Sequence, residues 1–246
     1  MGERMSDVPH GAPVVGSLTC FRHRDHHQAA GVPDVQGGHV SDVYALSPAR
    51  DAGGKICHLT VLYGTVANAV LGLYQSRSKR LDFHPCHRLD RNTTGLLLIA
   101  KRPEIQYQIA KQNTLIRAYL ALIEGRLSPA EGIINAPIAR ALPSIILRCV
   151  SPDGKPARTH YRTERTDGRH SLLRLRLETG RTHQIRVHLA HLGHPLLGDD
   201  LYGGSMDEIA RHALHSAQLT LTHPRTHENL TVTSPLPEDM ARIISR

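Results

Sequence analysis

A charged loop runs directly into an apolar segment near position 90 of this 246-residue chain. Asp90 stands close to Arg88 and Arg91, and the short apolar run 96–100 follows Gly95. Neighbouring guanidinium groups favour an ionised carboxylate, and an apolar run of this length is typical of a buried strand. The segment therefore predicts an acidic group held rigidly at the edge of a core. A helix N-cap or a simple ion pair at Asp90 would explain the same residues.

Alternation of polar and apolar residues predicts most of the strands. They are expected over 117–124, 157–163, 170–179, 215–222 and 230–233. Helices are expected over 103–113, after Thr182 as an N-cap, and from Pro237 onward; the helix after Thr182 would bury Ile185, Leu189 and Leu192. Strands that follow one another with few helices between them favour an α+β fold with a largely antiparallel sheet.

The charge balance points to a polyanionic partner. The formal net charge is +8, and only five of the 30 basic residues are lysine, which leaves an excess of arginine. Arginine forks suit phosphate groups and stack on bases, although a solvated basic surface would have the same composition. No segment approaches the ~20 apolar residues of a membrane span and no secretory signal is visible, so a cytoplasmic protein is expected.

Metal chemistry is not predicted. The four cysteines are scattered without a C-x-x-C pair, which disfavours a zinc site or a disulfide framework. Asp199 and Asp200 suggest either a two-carboxylate metal site or a structural loop, and the loop is the preferred interpretation. The histidines between 87 and 194 are better explained by packing and capping, because no acidic ligand stands at a metalloprotease spacing.

Four segments, in the same order and at the same intervals, resemble the RluA-type pseudouridine synthases. They are residues 87–101, 117–125, 178–204 and 214–224. The resemblance covers residues 56–246, which it identifies as a catalytic domain with a central, mixed, bent sheet flanked by helices. Residues 1–55 carry no recognisable S4 domain and are expected to be diverged or poorly ordered.

The resemblance implies an isomerisation of uridine to pseudouridine in RNA without metal or organic cofactor. Asp90 would be the catalytic carboxylate, attacking either C1′ of the sugar or C6 of the base. Tyr119 would lie against the target base and assist removal of the C5 proton, and Arg186 would pair with Asp90 and lower its pKa. From the residues alone, Tyr119 would be an ordinary core residue and Arg186 a surface charge.

RNA contacts are implied for Arg88, Arg91, Arg181, His183 and Gln184. Arg88 would fill the gap left by a flipped nucleotide, unless it is only a phosphate clamp or a partner of Asp90. Arg181 would bind phosphate together with a helix N-terminus. The expected partner is ribosomal or transfer RNA, the expected state is a monomer, and no obligatory protein partner or membrane is expected.

One departure from the family leaves a second hypothesis open. The family usually begins its catalytic domain with a strand that ends in Asn-Lys-Pro-x-Gly, and residues 30–70 contain no counterpart. Position 117 is Arg where the family generally has Lys. A catalytically inactive homologue that only binds RNA is therefore the alternative to an active pseudouridine synthase.

Overall fold

The computed structural model describes residues 82–142, 144 and 146–245, together with short segments at 14–15, 18–23, 48–50, 56–58, 66–67 and 70–71. Its strands are β1 (Val14–Val15), β2 (Leu18–His23), β3 (Pro48–Arg50), β4 (Ile56–His58), β5 (His84–Pro85), β6 (Thr94–Ala100), β7 (Ile116–Glu124), β8 (Glu131–Asn135), β9 (Ile138–Arg140), β10 (Arg148–Val150), β11 (Arg158–Thr166), β12 (His170–Leu177), β13 (Leu214–Thr222) and β14 (Asn229–Thr233). The helices bounded within the described part of the chain are α1 (Pro103–Gln112), α2 (Gln184–His191) and α3 (Glu238–Ile244).

In these described segments, ten strands form one mixed sheet. The order along the sheet is β1-β2-β6-β13-β7-β12-β11-β8, with β14 also paired to β13 and β5 to β6. Of the strand pairs described, only β6 with β13 is parallel. Bulges interrupt the register between Thr163 and Arg165 and between Ser216 and Gln218, and such bulges bend a strand. The predicted α+β fold with a largely antiparallel, mixed sheet is confirmed.

The two faces of β7 build two separate parts of the core, as the alternation in its sequence predicts. Tyr119 and Ile123 pack on one face with Ile185 and Leu189 of α2. Leu120 and Leu122 pack on the other face with α3, through Met240, Ile243 and Ile244. Each large apolar side chain that is fully buried contributes roughly 1.5–3 kcal/mol, so both helices are fixed firmly against the sheet.

The segment after the charged loop is a strand buried along its whole length, β6. After β6 the chain enters α1 at Pro103, and Ile105 and Ile109 of that helix pack against Leu96 and Leu98. The helix ends where Asn113 adopts the left-handed conformation, with φ 50°, one residue earlier than its sequence predicts. The charged loop is therefore attached to a fully buried strand of the core.

Two sequence predictions about α2 are wrong. Thr182 is not its N-cap, because the flanking residue is His183, which makes no side-chain capping bond. Leu192 was expected on the buried face but is 39% exposed, since the helix ends at His191 and the chain turns away through Gly193, which has φ 80°.

The predicted N-terminal segment, residues 1–55, lies largely outside the described residues. Only short backbone stretches of it enter the description, among them β2, which pairs antiparallel with β6. In the described part of the chain, no helix combines the length and apolar character that a membrane crossing needs.

Candidate active site

Asp90 is presented by a tight turn at the start of β6. Its carbonyl oxygen accepts a hydrogen bond of 3.0 Å from the Thr93 N–H, and Asn92 takes a positive φ of 70°. A turn of this kind needs a left-handed residue at its third position, and asparagine adopts that conformation more readily than most residues. The local sequence thus fixes the backbone that carries the carboxylate.

Two histidines near the start of β13 form hydrogen bonds with the threonines that follow this turn. The Thr93 hydroxyl and His212 Nε2 are hydrogen-bonded at 2.8 Å, and the Thr94 hydroxyl and His215 Nδ1 are also 2.8 Å apart. All four residues are buried. Burial and the nearby guanidinium of Arg186 lower the pKa of His212 well below its usual value, so its ring is neutral and supports the turn as a hydrogen-bonding group.

Arg186 of α2 lies between two carboxylates. Its Nε and Nη2 each donate a 2.7 Å hydrogen bond to the carboxylate of Asp199, while its Nη1 lies 3.9 Å from Asp90 Oδ2. Its guanidinium also lies over the Tyr202 ring, 5.0 Å from the centroid. The expected pairing of Arg186 with Asp90 is therefore present at longer range, and its closer partner is Asp199.

Asp199 is the site residue that sequence reasoning missed. The loop around it was interpreted as structural, and nothing in its pattern points to a partner thirteen residues upstream on a helix. Asp199 has no exposed surface, and a buried carboxylate requires a cation and hydrogen bonds. The residue therefore fixes the guanidinium that faces Asp90.

His183 connects the beginning of α2 to Asp90. The residue has φ 56°, and its backbone N–H donates to the Asp90 carboxylate. Its Nδ1 is hydrogen-bonded to the Tyr202 hydroxyl at 2.8 Å. Burial, with Arg186 nearby, lowers the pKa of His183 to about 3, so the ring is neutral. The N-terminal end of α2 thus faces the Asp90 carboxylate. The sequence predicts a phosphate at this helix end, bound together with Arg181.

The pKa of Asp90 departs from the sequence prediction. Burial raises it above the usual aspartate value, while the guanidinium groups of Arg186 and then Arg88 lower it. The side chain retains 16% exposure. Arg186 therefore lowers the pKa of Asp90 as expected, but burial is the larger effect and, with a smaller contribution from the charge of Asp199, leaves the net direction upward.

Tyr119 lies in the same cleft as Asp90. Arg88, Asp90, Arg117, Tyr119 and Arg181 are among the residues that line it. Tyr119 is only 4% exposed, and burial raises the pKa of its hydroxyl to about 12. The phenol is therefore neutral at physiological pH, and the residue contributes an aromatic side chain to the lining of the cleft.

The residues expected to bind RNA fall into two groups. Arg88, Arg91 and Arg181 are exposed, and Arg88 and Arg181 line the cleft. Gln184, by contrast, is 3% exposed: its Oε1 accepts from Thr179 and from the Arg181 N–H, and its Nε2 donates to β11. Gln184 therefore organises the turn before α2, although it also contributes to the lining of the cleft, and its RNA contact stays a prediction.

The comparisons with known proteins agree with this geometry. A family model described as RNA pseudouridylate synthase matches residues 54–191, a range that contains Asp90, Tyr119 and Arg186. The chain belongs to this family. The match covers more than half of the sequence and ends before Asp199.

Similar proteins include RNA-modifying enzymes of bacteria. An uncharacterized RNA pseudouridine synthase of Bacillus subtilis, YjbO, is 46% identical over 185 residues, which cover 74% of this chain and 65% of that protein. The ribosomal large subunit pseudouridine synthase D of Nitrosomonas europaea is 44% identical over 194 residues, covering 74% of this chain and 56% of the relative. The chain thus spans less than two thirds of the length of these relatives.

A solved human structure shares the fold. RNA pseudouridylate synthase domain containing 1 superposes with a TM-score of 0.60 at 28% sequence identity, over 70% of this chain and 74% of the human chain. The structural match supports the family assignment made from the sequence.

Proposed function

We propose that this protein isomerises uridine to pseudouridine in structured RNA, with Asp90 as the nucleophile. The observation that carries the proposal is the position of Asp90, whose carboxylate lies 3.9 Å from Arg186 in a cleft that it shares with Tyr119 and three arginines. The family supplies the reaction class, and the cleft supplies an acid, an aromatic ring and a basic rim that suit a nucleotide.

The reaction breaks the N1–C1′ bond and forms a C5–C1′ bond, so it needs no co-reactant. The Asp90 carboxylate attacks C1′ or C6, and its bond to the nucleoside breaks again when the rotated base is joined through C5. C5 loses its proton and N1 gains one, so the product is an isomer of the substrate. An anchored carboxylate suits both routes, because it must attack and leave at one fixed position.

We assign Arg186 to orienting Asp90 and stabilising its charge. The guanidinium is held by Asp199 before the RNA binds, so no reorganisation is required when charge on the Asp90 carboxylate changes during the reaction. Tyr119 packs against the base, and its oxygen is our candidate for receiving the C5 proton. Its pKa of about 12 keeps the hydroxyl protonated, so its oxygen accepts the C5 proton as the phenolic proton is passed on, and N1 of the base is the atom that finally gains a proton.

A base must leave its stack to reach this cleft. Extrusion costs a few kcal/mol, and a planar cation that stacks in the gap recovers part of that cost. Arg88 is exposed next to Asp90, and we propose that it fills the gap. Arg91 and Arg181, which are also exposed, would contact phosphates along the same strand.

We further propose large-subunit ribosomal RNA as the first substrate to test, because several similar proteins are named for the ribosomal large subunit. Transfer RNA is the other expected class. We propose that the enzyme acts in the cytoplasm as a monomer. A carboxylate, an arginine and a tyrosine suffice for the proposed steps, so these steps require no metal or organic cofactor.

The experiment is tritium release from RNA labelled at C5 of uridine, with the full chain and its Asp90→Asn and Asp200→Asn variants. Wild type and Asp200→Asn, which changes an exposed neighbour in the Asp199 loop, should release tritium. Asp90→Asn should bind the RNA and release none. Release by Asp90→Asn would refute the nucleophile, and salt-sensitive RNA binding without release by wild type would make the chain an inactive RNA-binding homologue.

A further inference from the structure

Arg117 is a cation in the cleft that the roles assigned so far do not use. It precedes Tyr119 by two residues on β7, so both side chains lie on the same face of the sheet, and both line the cleft around Asp90. The two positions are about 7 Å apart along the strand, a separation comparable to that between a base and the phosphate of its own nucleotide.

The guanidinium of Arg117 lacks an acceptor in the described part of the chain. Its Nε is buried without a hydrogen-bond partner, and no carboxylate there lies within ion-pair distance. Arg186, in the same cleft region, has two short bonds to Asp199. A half-buried cation with an unsatisfied donor is costly, so a missing acceptor is expected to come from the bound substrate.

Gly180 leaves room for this guanidinium. A Cβ atom at position 180 would lie 3.1 Å from Nη1 of Arg117, closer than a Cβ usually packs, and 3.6 Å from Nη2, an ordinary van der Waals contact. Both terminal nitrogens therefore lie over a glycine at the cleft wall, next to Arg181. A planar fork of this kind can bind two oxygens of one phosphate, which a lysine ammonium at the same place would contact as a single point.

The charge of the cleft favours an anion as the partner. Its lining contains the three arginines Arg88, Arg117 and Arg181 and the single carboxylate Asp90, and Asp90 already lies 3.9 Å from Arg186. A uracil carbonyl is neutral and would leave the excess positive charge uncompensated. We propose that Arg117 binds a backbone phosphate of the target nucleotide and so sets how deeply its base enters beside Tyr119.

This inference rests on the proposed function, because it assumes that a nucleotide enters the cleft, but its test does not require turnover. The probe is a short, fluorescein-labelled RNA stem–loop with uridines in its loop, titrated with the full-length protein at several salt concentrations. Variants Arg117→Met and Arg117→Lys are compared with Arg174→Met. Arg174 lies on the neighbouring strand opposite Leu120, on the other face of the sheet.

Arg117→Met should bind about tenfold more weakly, and its plot of log affinity against log salt should be shallower by about 0.7, the contribution of one phosphate contact to a single strand. Arg117→Lys should recover the slope and only part of the affinity. Arg174→Met should match wild type. Wild-type affinity and slope in Arg117→Met, with native thermal unfolding, would overturn the proposal, as would an equal loss in Arg174→Met.

RNAs with uncharged backbone linkages distinguish a contact of Arg117 with a phosphate from a contact with a base. In a series of stem–loops with one methylphosphonate each, a single position should weaken wild-type binding about tenfold and leave Arg117→Met unaffected. If no linkage behaves in this way and an abasic loop removes the difference between wild type and Arg117→Met, Arg117 contacts the base and the proposal is wrong. Arg117-dependent binding without tritium release would instead refute the proposed isomerase activity alone.

Discussion

Arg186 and Asp199 form a buried, two-pronged ion pair, with both N–H···O distances at 2.7 Å. The pair fixes a guanidinium on α2 so that its remaining nitrogen faces Asp90. Because geometry this close leaves little freedom for the arginine, the charge beside the proposed nucleophile is in place before any RNA arrives. The cost is that two carboxylates share one cation.

Asp199→Asn should therefore impair both folding and turnover. The substitution keeps the shape of the side chain and removes half of a buried pair, so we expect a loss of about 3 kcal/mol or more in the free energy of unfolding. Tritium release should fall about 10²-fold, because a small displacement of an orienting group has an effect of that size. Asp200→Asn is the matched control and should stay within about 0.5 kcal/mol of wild type. Equal behaviour of the two variants would contradict the role of Asp199.

The rate of isomerisation should depend on the ionisation of Asp90. The attacking carboxylate must be deprotonated, so the single-turnover rate should fall as pH falls through its pKa. Because burial raises the pKa of Asp90, the inflection should lie above the ordinary aspartate value of about 3.9. Arg88 lowers this pKa, so Arg88→Gln should move the inflection to higher pH at saturating RNA. Arg174→Gln should leave it in place, and a downward shift in Arg88→Gln would contradict the electrostatics.

Mild acid should destabilise the fold. Burial lowers the pKa of His87 and His183 to about 3, and lowers those of His188 and His212. An unfolded histidine binds a proton below about pH 6.5, whereas these histidines stay unprotonated in the native state. The free energy of unfolding therefore falls as pH drops below that value. Each fully neutral histidine contributes a slope of about 1.4 kcal/mol per pH unit.

Urea unfolding at a series of pH values between 7.5 and 5 measures this slope. Asp90 has the opposite sign, because its raised pKa favours the native state as pH falls, but it is one group against four. In His188→Gln, which replaces a ring bonded to Thr159 and Ala136, the slope should be reduced. His227→Gln changes an exposed position and should keep the wild-type slope. A stability that does not change with pH would refute the prediction.

Gly95→Ala should be among the most damaging small substitutions. Gly95 has φ 106°, and a Cβ there would overlap the backbone of Ser216 on the adjacent parallel strand. We expect a loss of roughly 3 kcal/mol or more. Gly193 also has a positive φ, 80°, but nothing lies within 4 Å of an added Cβ. Gly193→Ala should therefore cost only about 1 kcal/mol. Comparing the thermal unfolding of the two variants separates the cost of a positive φ, which both share, from the cost of the steric overlap with Ser216, which only Gly95→Ala has.

The elements predicted best from the sequence are those whose burial is decided locally. The alternation in β7 and the apolar run in β6 gave correct strands because their side chains enter a core on both faces. The boundary of α2 was misplaced because His183 takes a left-handed conformation that is explained by its contacts with Asp90 and Tyr202. Those contacts come from distant parts of the chain, and no local propensity encodes them.

The candidate site divides in the same way. Asp90, Tyr119 and Arg186 stand in recognisable motifs; the structure brings Asp90 and Tyr119 to one cleft and places Arg186 3.9 Å from Asp90. Asp199 and Arg117 were not predicted as site residues. Asp199 acts through its ion pair with Arg186, which only the folded loop brings together, and Arg117 is distinguished by a buried Nε without a hydrogen-bond acceptor among the described residues, which the sequence does not reveal. The RNA contact expected for Gln184 stays a prediction; its side-chain oxygen already accepts hydrogen bonds within the turn before α2.

The hydrogen bonds that support the Asp90 turn join residues 119 and 121 positions apart in the chain. During translation, the loop with Asp90 leaves the ribosome long before β13 does. Until His212 and His215 have emerged, these two side-chain hydrogen bonds cannot form, and α2 with Arg186 appears only shortly before them. A nascent chain therefore exposes Asp90 well before the residues that hold its turn have been synthesised.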